Sequence, residues 1–542
     1  MFIMHGRPIA PGIAIGPIYY FQKQEQKSVK KTVNDSNAEE ERFIQAREKA
    51  IEQLEALRKK VLSEIGTEES EIFEIHQMLA EDEDFADAVI KMIRDEHCDA
   101  AYAVEEAGRL CVDQFSALDD GYMKERAVDI RDISSRIRRV LEGKEEIPQV
   151  QRPSIIMATE LTPGETVQMD KTTLLAFLTE KGSANSHTGI LARNMGIPAV
   201  AGVDIQREWA DKLAIVDGFT GTVYVEPEQS VRLQMERQAQ RLNQENAQLA
   251  ELKGKPSITR DGAKVEICAN MGNVTDLEFV LANDAEGVGL LRSEFLYLSK
   301  SDFPEEEELF TAYRTAAEAL GGKRVVIRTL DIGADKKAEY FKLPAEENPA
   351  LGMRAIRICL TRPDIFRVQL RAILRATAYG KIAVMFPMIT SVNEVLQCKE
   401  QVRAAETELR QEGAAIGDYE LGIMVETPAA VIISDELAKE VDFFSIGTND
   451  LTQYTLAVDR QNVALAPFCD VHHPALLRSI KWVVRNAHEC GRWVGICGEL
   501  AGDLTMTETF LRMGIDELSV SPARILQLRK KVCALNLGKE EM

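Results

Sequence analysis

Around His187 the chain runs Gly182-Ser183-Ala184-Asn185-Ser186-His187-Thr188-Gly189-Ile190-Leu191-Ala192-Arg193. Small and polar residues give way to helix formers, so His187 is expected at a helix N-terminus, where unpaired backbone N–H groups favour an anion. A phosphorylated imidazole would be stabilised there; a capping or surface histidine would fit as well. Other chemically able groups lie far along the chain, at the ends of apolar runs. Arg292 and Arg328 offer planar forks of donors suited to a phosphate or carboxylate. Arg354, Arg357 and Arg460 add further cations. Glu426 and Asp450 offer hard oxygen ligands, the kind Mg2+ takes together with substrate phosphate oxygens. So many cations on a chain of net charge -22 point to a site for a small polyanion. His472-His473 lacks metal-ligand spacing and His76 sits in a helical pattern, so both read as structural.

These groups need elements to hold them together. After Pro256, eight strand-like runs occur at 265–271, 288–296, 324–332, 382–388, 422–426, 443–448, 493–498 and 517–520, most of them separated by helical stretches such as 306–320 and 392–411. That alternation is the grammar of a (β/α)8 TIM barrel, whose chemistry sits at the carboxyl ends of the strands. Arg292, Arg328, Glu426, Asn449-Asp450 and Cys497 all fall at such ends, and the long third-to-fourth interval carries Arg354 on a loop.

Ahead of the barrel the composition from 34 to 143 is acidic and helical. Phe43, Ala46, Ala50, Leu54, Leu57, Val61 and Ile65 recur at spacings of three and four, as do Ile130, Ile133, Ile137 and Leu141. With stretches 69–80 and 100–115 between them, a four-helix bundle is expected. Short apolar runs at 155–158, 174–178, 214–216 and 223–225 flank it, with turn chemistry at Asp217-Gly218 and Thr220-Gly221. The expected fold is a multidomain α/β chain: a bundle (31–144) inserted in a small α/β domain (1–30 and 145–226), a polar connecting helix (227–256) and the barrel (257–542).

Composition limits the function. At roughly 100–200 residues per domain, 542 residues make three or four domains. The acidic balance argues against nonspecific nucleic-acid binding and anionic membrane surfaces. Nine cysteines without CxxC pairs suit free thiols in a reducing cytoplasm. No apolar run reaches 18 residues, so no membrane insertion is expected, and the Pro- and Gly-rich stretch 8–21 reads as strand and turn rather than a signal peptide.

Ser186-His187-Thr188, running through Ala192-Arg193 to Gly196-Ile197-Pro198-Ala199-Val200, resembles the swivelling phosphohistidine domain of the phosphoenolpyruvate-protein phosphotransferases, the enzyme I family of bacterial sugar phosphotransferase systems. Gly287-Val288-Gly289-Leu290-Leu291-Arg292-Ser293-Glu294-Phe295 and Ser445-Ile446-Gly447-Thr448-Asn449-Asp450-Leu451 resemble that family's phosphoenolpyruvate-binding barrel. The resemblance implies that His187 takes the phosphoryl group, that Arg292, Arg328, Arg354, Arg460 and Asn449 bind phosphoenolpyruvate, and that Glu426 and Asp450 hold Mg2+. It implies Cys497 as proton donor to the enolate, the carrier protein HPr as acceptor and a homodimer formed through the barrel. A thiol is mostly protonated at neutral pH, and the nearby cations are expected to lower the pKa of Cys497. Glu71, Glu74, Glu81, Asp82, Glu83 and Asp84 gather negative charge that would complement a basic carrier face, or form a merely solvated surface. Gly182-Ser183-Ala184-Asn185 departs from the family's Gly-Gly and Thr pattern. A pyruvate phosphate dikinase or phosphoenolpyruvate synthase is the alternative, although no glycine-rich nucleotide segment stands in this chain. A scaffold that had lost catalysis should have lost parts of the barrel set, and all of them stand.

Overall fold

The computed structural model describes residues 1–21, 30–64, 67–116, 121–143, 150, 152–170, 172–182, 189, 192–193, 196–298, 300, 302–333, 338–344, 346–460 and 462–538. His187 lies outside the described residues. Two compact units divide the chain, Met1–Glu245 and Asn246–Met542.

In the first unit, β1 (Phe2–His5), β2 (Arg7–Ala10), β3 (Ile13–Tyr20), β4 (Ser154–Ala158), β5 (Leu174–Thr179), β6 (Ala199–Ala201), β7 (Leu213–Asp217) and β8 (Thr222–Val225) form one sheet. Its order is β1-β8-β7-β3-β4-β5-β6-β2. A single residue, Gly6, separates the strands at its two ends. Only glycine fits that bend, because a β-carbon would lie 2.5 Å from the Ala201 carbonyl oxygen.

Among the described residues five helices stand between β3 and β4, not the four expected: α1 (Ser36–Glu64), α2 (Thr67–Ala80), α3 (Glu83–Glu96), α4 (Ala100–Ser116) and α5 (Gly121–Leu141). The additional one is α3, which grows out of the acidic run. Asp82 caps it by accepting the Phe85 N–H at 2.9 Å, and Glu83 and Asp84 sit in the first turn, where the helix dipole favours anions. Phe85, Ala86, Val89 and Ile93 form its buried stripe. On α1 the stripe is as expected from Phe43 to Val61. His76 is buried between α2 and α5, with Nε2 3.1 Å from Asp129 Oδ1 and Nδ1 3.6 Å from Asp132 Oδ2, so it is a structural group.

The second unit is a closed parallel barrel. Its strands are β9 (Glu266–Met271), β10 (Val288–Arg292), β11 (Val325–Arg328), β12 (Ile382–Phe386), β13 (Tyr419–Val425), β14 (Phe443–Ile446), β15 (Trp493–Ile496) and β16 (Glu517–Val520). Closure comes from β16 pairing with β9, Leu518 opposite Ile267. Both faces are covered, which is why these strands read as near-continuous apolar runs. Strand starts match the sequence expectation closely; several ends do not. β10 stops at Arg292, short of 296, and Phe295–Leu298 is helical; β14 gives way to a helix at Thr448–Leu456. In the third run the apolar pattern overran because Leu330 and Ile332 remain buried after the chain has left the ladder. Among the described residues no helix is long and apolar enough to cross a membrane, and the cysteines carry no disulfide.

Candidate active site at the barrel mouth

β10 and β11 end side by side, with Arg292 in register with Arg328. Arg328 is buried. It pairs with Glu294, two residues beyond β10, and through Nη1 with Asp331 Oδ2 at 2.9 Å. Asp331 receives a second guanidinium, Arg354 Nη2 at 3.0 Å. Arg354 Nη1 lies 3.0 Å from the Tyr454 hydroxyl and 3.7 Å from Asp450 Oδ1, and Arg460 Nη2 is also 3.7 Å from that oxygen. One carboxylate thus yokes the third strand to the long loop after it. Burial works against charge on Arg328, but Asp331, Glu294 and Glu426 outweigh it and keep the guanidinium firmly protonated.

Arg328 and Arg354 each retain a buried Nε–H with no acceptor. A buried donor left unpaired costs about 1–3 kcal/mol, so an acceptor reaching either of these two would be favoured. Arg292 stands exposed on the same rim. Asn449 bridges to the next strand end: its Oδ1 accepts the Glu499 N–H at 3.0 Å and its Nδ2 donates to Glu499 Oε1 at 3.3 Å. Arg357 does not join the site, because Nη1 donates to the carbonyls of Leu351 and Gly352 at 2.8 Å in its own loop.

Glu426 follows β13 and is fully enclosed. Its Oε1 accepts the Met388 N–H at 2.6 Å, and Met388 holds a left-handed φ of 58° to present it. Burial first, then the charges of Asp450 and Asp331, push the Glu426 carboxyl up to about 8, against the pull of Arg328 and Arg354. Asp450 Oδ1 is buried and accepts no hydrogen bond. Asp450 raises the Glu426 carboxyl and itself has a buried oxygen that accepts no hydrogen bond, so a divalent cation held by the two would relieve both conditions. A second acidic group, Glu266, Cys268 and Glu517, lies at the amino ends of β9 and β16. It already holds a cation, since Arg324 Nη2 lies 2.5 Å from Glu266 and 3.0 Å from Glu517.

Cys497 faces the barrel interior with Leu290, Val326, Met385, Met424 and Phe443. The residue after it must be glycine, because a β-carbon at Gly498 would lie 2.0 Å from Thr448 Oγ1. Contrary to the sequence expectation, the thiol pKa is not lowered. Burial pushes it up to about 11, and neither Ser445 nor Arg328 reverses that. The group is protonated at neutral pH.

The structure therefore brings together Arg328, Arg354, Arg460, Asn449, Glu426, Asp450 and Cys497, with Arg292 on the rim. Glu294, Asp331 and Tyr454 were not singled out from sequence as site residues. The spacing of Asp331 three residues after Arg328 was the available signal for one of them.

Three family models match. PEP-utilising enzyme, PEP-binding domain, covers residues 246–537; the N-terminal model covers 5–126; the mobile-domain model covers 150–221. The phosphoenolpyruvate-protein phosphotransferase of Geobacillus stearothermophilus is 42% identical over 548 residues, spanning 99% of this chain and 94% of that protein. The chain belongs to this family. The phosphoenolpyruvate-protein phosphotransferase of Haemophilus influenzae is also 42% identical, spanning 97% of this chain and 93% of its own. A solution structure of an Enzyme I protein, 33% identical, aligns with 44% of this chain and 99% of that one at a TM-score of 0.39. As in its family, the chemistry of this chain is phosphoenolpyruvate-dependent phosphotransfer. Metal dependence is general among such enzymes.

Proposed function

We propose that the chain moves the phosphoryl group of phosphoenolpyruvate onto His187, releases pyruvate, and passes the group to a histidine of the carrier HPr. This is the opening step of phosphoenolpyruvate-dependent sugar uptake, carried out in the cytoplasm by a homodimer joined through the barrel. The observation that carries the reading is the gathering of Arg328, Arg354 and Arg460 around Asp331 and Asp450 at the barrel mouth of an acidic chain.

In this reading Arg292, Arg328, Arg354 and Arg460, with Asn449, take the phosphate and carboxylate oxygens of the substrate. Glu426 and Asp450 would hold Mg2+, which supplies positive charge to phosphoryl and enolate oxygens. The bond between phosphorus and the enol oxygen breaks, a nitrogen of His187 bonds to phosphorus, and the enolate stays behind among the guanidinium groups. The Cys497 thiol gives its proton to the methylene carbon, and pyruvate results. The experiment is phosphoenolpyruvate and Mg2+ alone, without ATP: label on the protein with matching pyruvate release supports the reading, and a requirement for ATP would reverse it in favour of a dikinase relative.

Cys497→Ala should leave phosphate reaching the protein, because transfer precedes protonation. Turnover should fall about 10²- to 10⁴-fold, the usual contribution of a placed acid. Phosphoenolpyruvate labelled stereospecifically at its methylene carbon should give chiral pyruvate from the native chain and lose that control in the variant. Racemic pyruvate from the native chain, with later exchange excluded, would remove Cys497 from the role.

For the carrier, the acidic surface of α2 and α3 supports the reading. Glu74, Glu81, Glu83 and Asp84 are exposed, whereas Asp82 is committed to its cap. Arg47 secures the turn by donating to the carbonyls of Ala80 and Glu81 at 2.7 and 2.6 Å. Glu74→Lys/Glu81→Lys should slow phosphoryl transfer to HPr, more so at low salt, and leave self-phosphorylation at its native rate. Equal transfer rates at low salt would dismiss this surface.

A further inference from the structure

Tyr454 lies on the helix Thr448–Leu456, one turn beyond Asp450 and therefore on the same side of that helix. Its half-buried hydroxyl donates to the Ala350 carbonyl and accepts from Arg354 Nη1 at 3.0 Å. Both contacts reach the loop between β11 and β12, where Ala350 sits in the short turn Pro349–Leu351. One oxygen thus ties that loop to the element following β14.

We infer that Tyr454 is a positioning residue for substrate binding: it fixes the orientation of the Arg354 guanidinium at the mouth. The inference rests on reading that mouth as the phosphoenolpyruvate site. A guanidinium is planar, so fixing two of its nitrogens fixes the direction of the third. In Arg354, Nη2 is fixed by Asp331 at 3.0 Å and Nη1 by Tyr454, while Nε is the donor without an acceptor. With the hydroxyl gone, the guanidinium keeps only its hydrogen bond to Asp331 and its orientation is no longer fixed. The backbone next to it makes the tether matter more. Ala355 holds φ 52° and ψ −125°, a conformation that L-residues rarely adopt and that persists only where the surroundings enforce it. The Ala355 N–H is held by the Ile332 carbonyl at 2.9 Å, one residue from Asp331, so the backbone beside Arg354 is anchored on the same strand end.

Tyr454→Phe keeps the ring and removes only the bridging oxygen. The expected result is a KM for phosphoenolpyruvate about tenfold higher, equivalent to 1.4 kcal/mol, with kcat within about twofold and an unchanged melting temperature. A KM rise at constant kcat is the mark of lost binding rather than lost chemistry. Tryptic cleavage after Lys342, exposed in the same loop, should accelerate in the variant and slow again on adding phosphoenolpyruvate. A native KM in Tyr454→Phe overturns the inference. So does a joint fall of kcat and melting temperature at native cleavage rates, which would mark a merely structural residue. Failure of the native chain to accept phosphate from phosphoenolpyruvate would instead defeat the functional reading itself, so the two failures are distinguishable.

Discussion

Arg328→Met should lower phosphoenolpyruvate-dependent phosphorylation about a hundred- to thousandfold, the cost of removing one donor from a site that stabilises developing negative charge. It should also destabilise the barrel by about 3–5 kcal/mol, since breaking a buried ion pair from one side leaves the other charge uncompensated. Glu294 loses its guanidinium, whereas Asp331 keeps Arg354. The two effects have separate origins and can be pulled apart. In Arg328→Met/Glu294→Gln the stranded carboxylate is gone, so calorimetry should recover part of the lost stability while activity stays low. Native activity in the single variant would refute the assignment of Arg328 to the substrate. A double variant no more stable than the single would refute Glu294 as the stranded charge.

What could be read from the sequence followed periodicity and local chemistry. The α1 stripe and seven of the eight strand starts were legible to within a residue, because a buried face repeats with the period of its element, whereas β13 begins at Tyr419, three residues ahead of the expected run. The α3 helix was not, since the residues that start it, Asp82, Glu83 and Asp84, are the same residues a solvated turn would use. Strand ends were blurred where burial outlasts pairing, as at Leu330 and Ile332. Within the site, Arg328, Glu426 and Asp450 could be found because strand ends are where barrels keep chemistry. Asp331 was visible beside Arg328, yet its task of holding two guanidinium groups depends on Arg354, 23 residues away, and on how the intervening loop folds. The Cys497 thiol was misjudged for a related reason. Sequence shows which charges are near, but not that Met385, Met424 and Phe443 close over the sulfur, and burial proved the stronger influence.

His187→Ala is expected to abolish labelling of the protein by phosphoenolpyruvate completely, the largest effect of any single substitution. The mouth supplies guanidinium, carboxylate, amide, phenol and thiol groups, and the chemistry needs an acceptor that holds phosphate in transferable form; imidazole is such a nucleophile. Seven histidines are available. Six have structural employment: His5 with Thr222, His76 between two aspartates, His97 with Ser36, His472 with Asp503, His473 capping the helix Pro474–Glu489, and His488 with Asp516. His187 is the one that the resemblance to the family's phosphohistidine segment marks, and it lies within the residues matched by the mobile-domain model. In the proposed reading the acceptor is brought to the mouth and then to the carrier by movement of its domain, and the polar helix Gln229–Ala250 is the connection in sequence between that domain and the barrel. Phosphohistidine mapping after incubation with labelled phosphoenolpyruvate and Mg2+ checks this. The label should sit on residue 187 and be acid-labile, and it should persist in His76→Gln and in His472→Gln/His473→Gln. Label remaining on His187→Ala would move the acceptor to another residue.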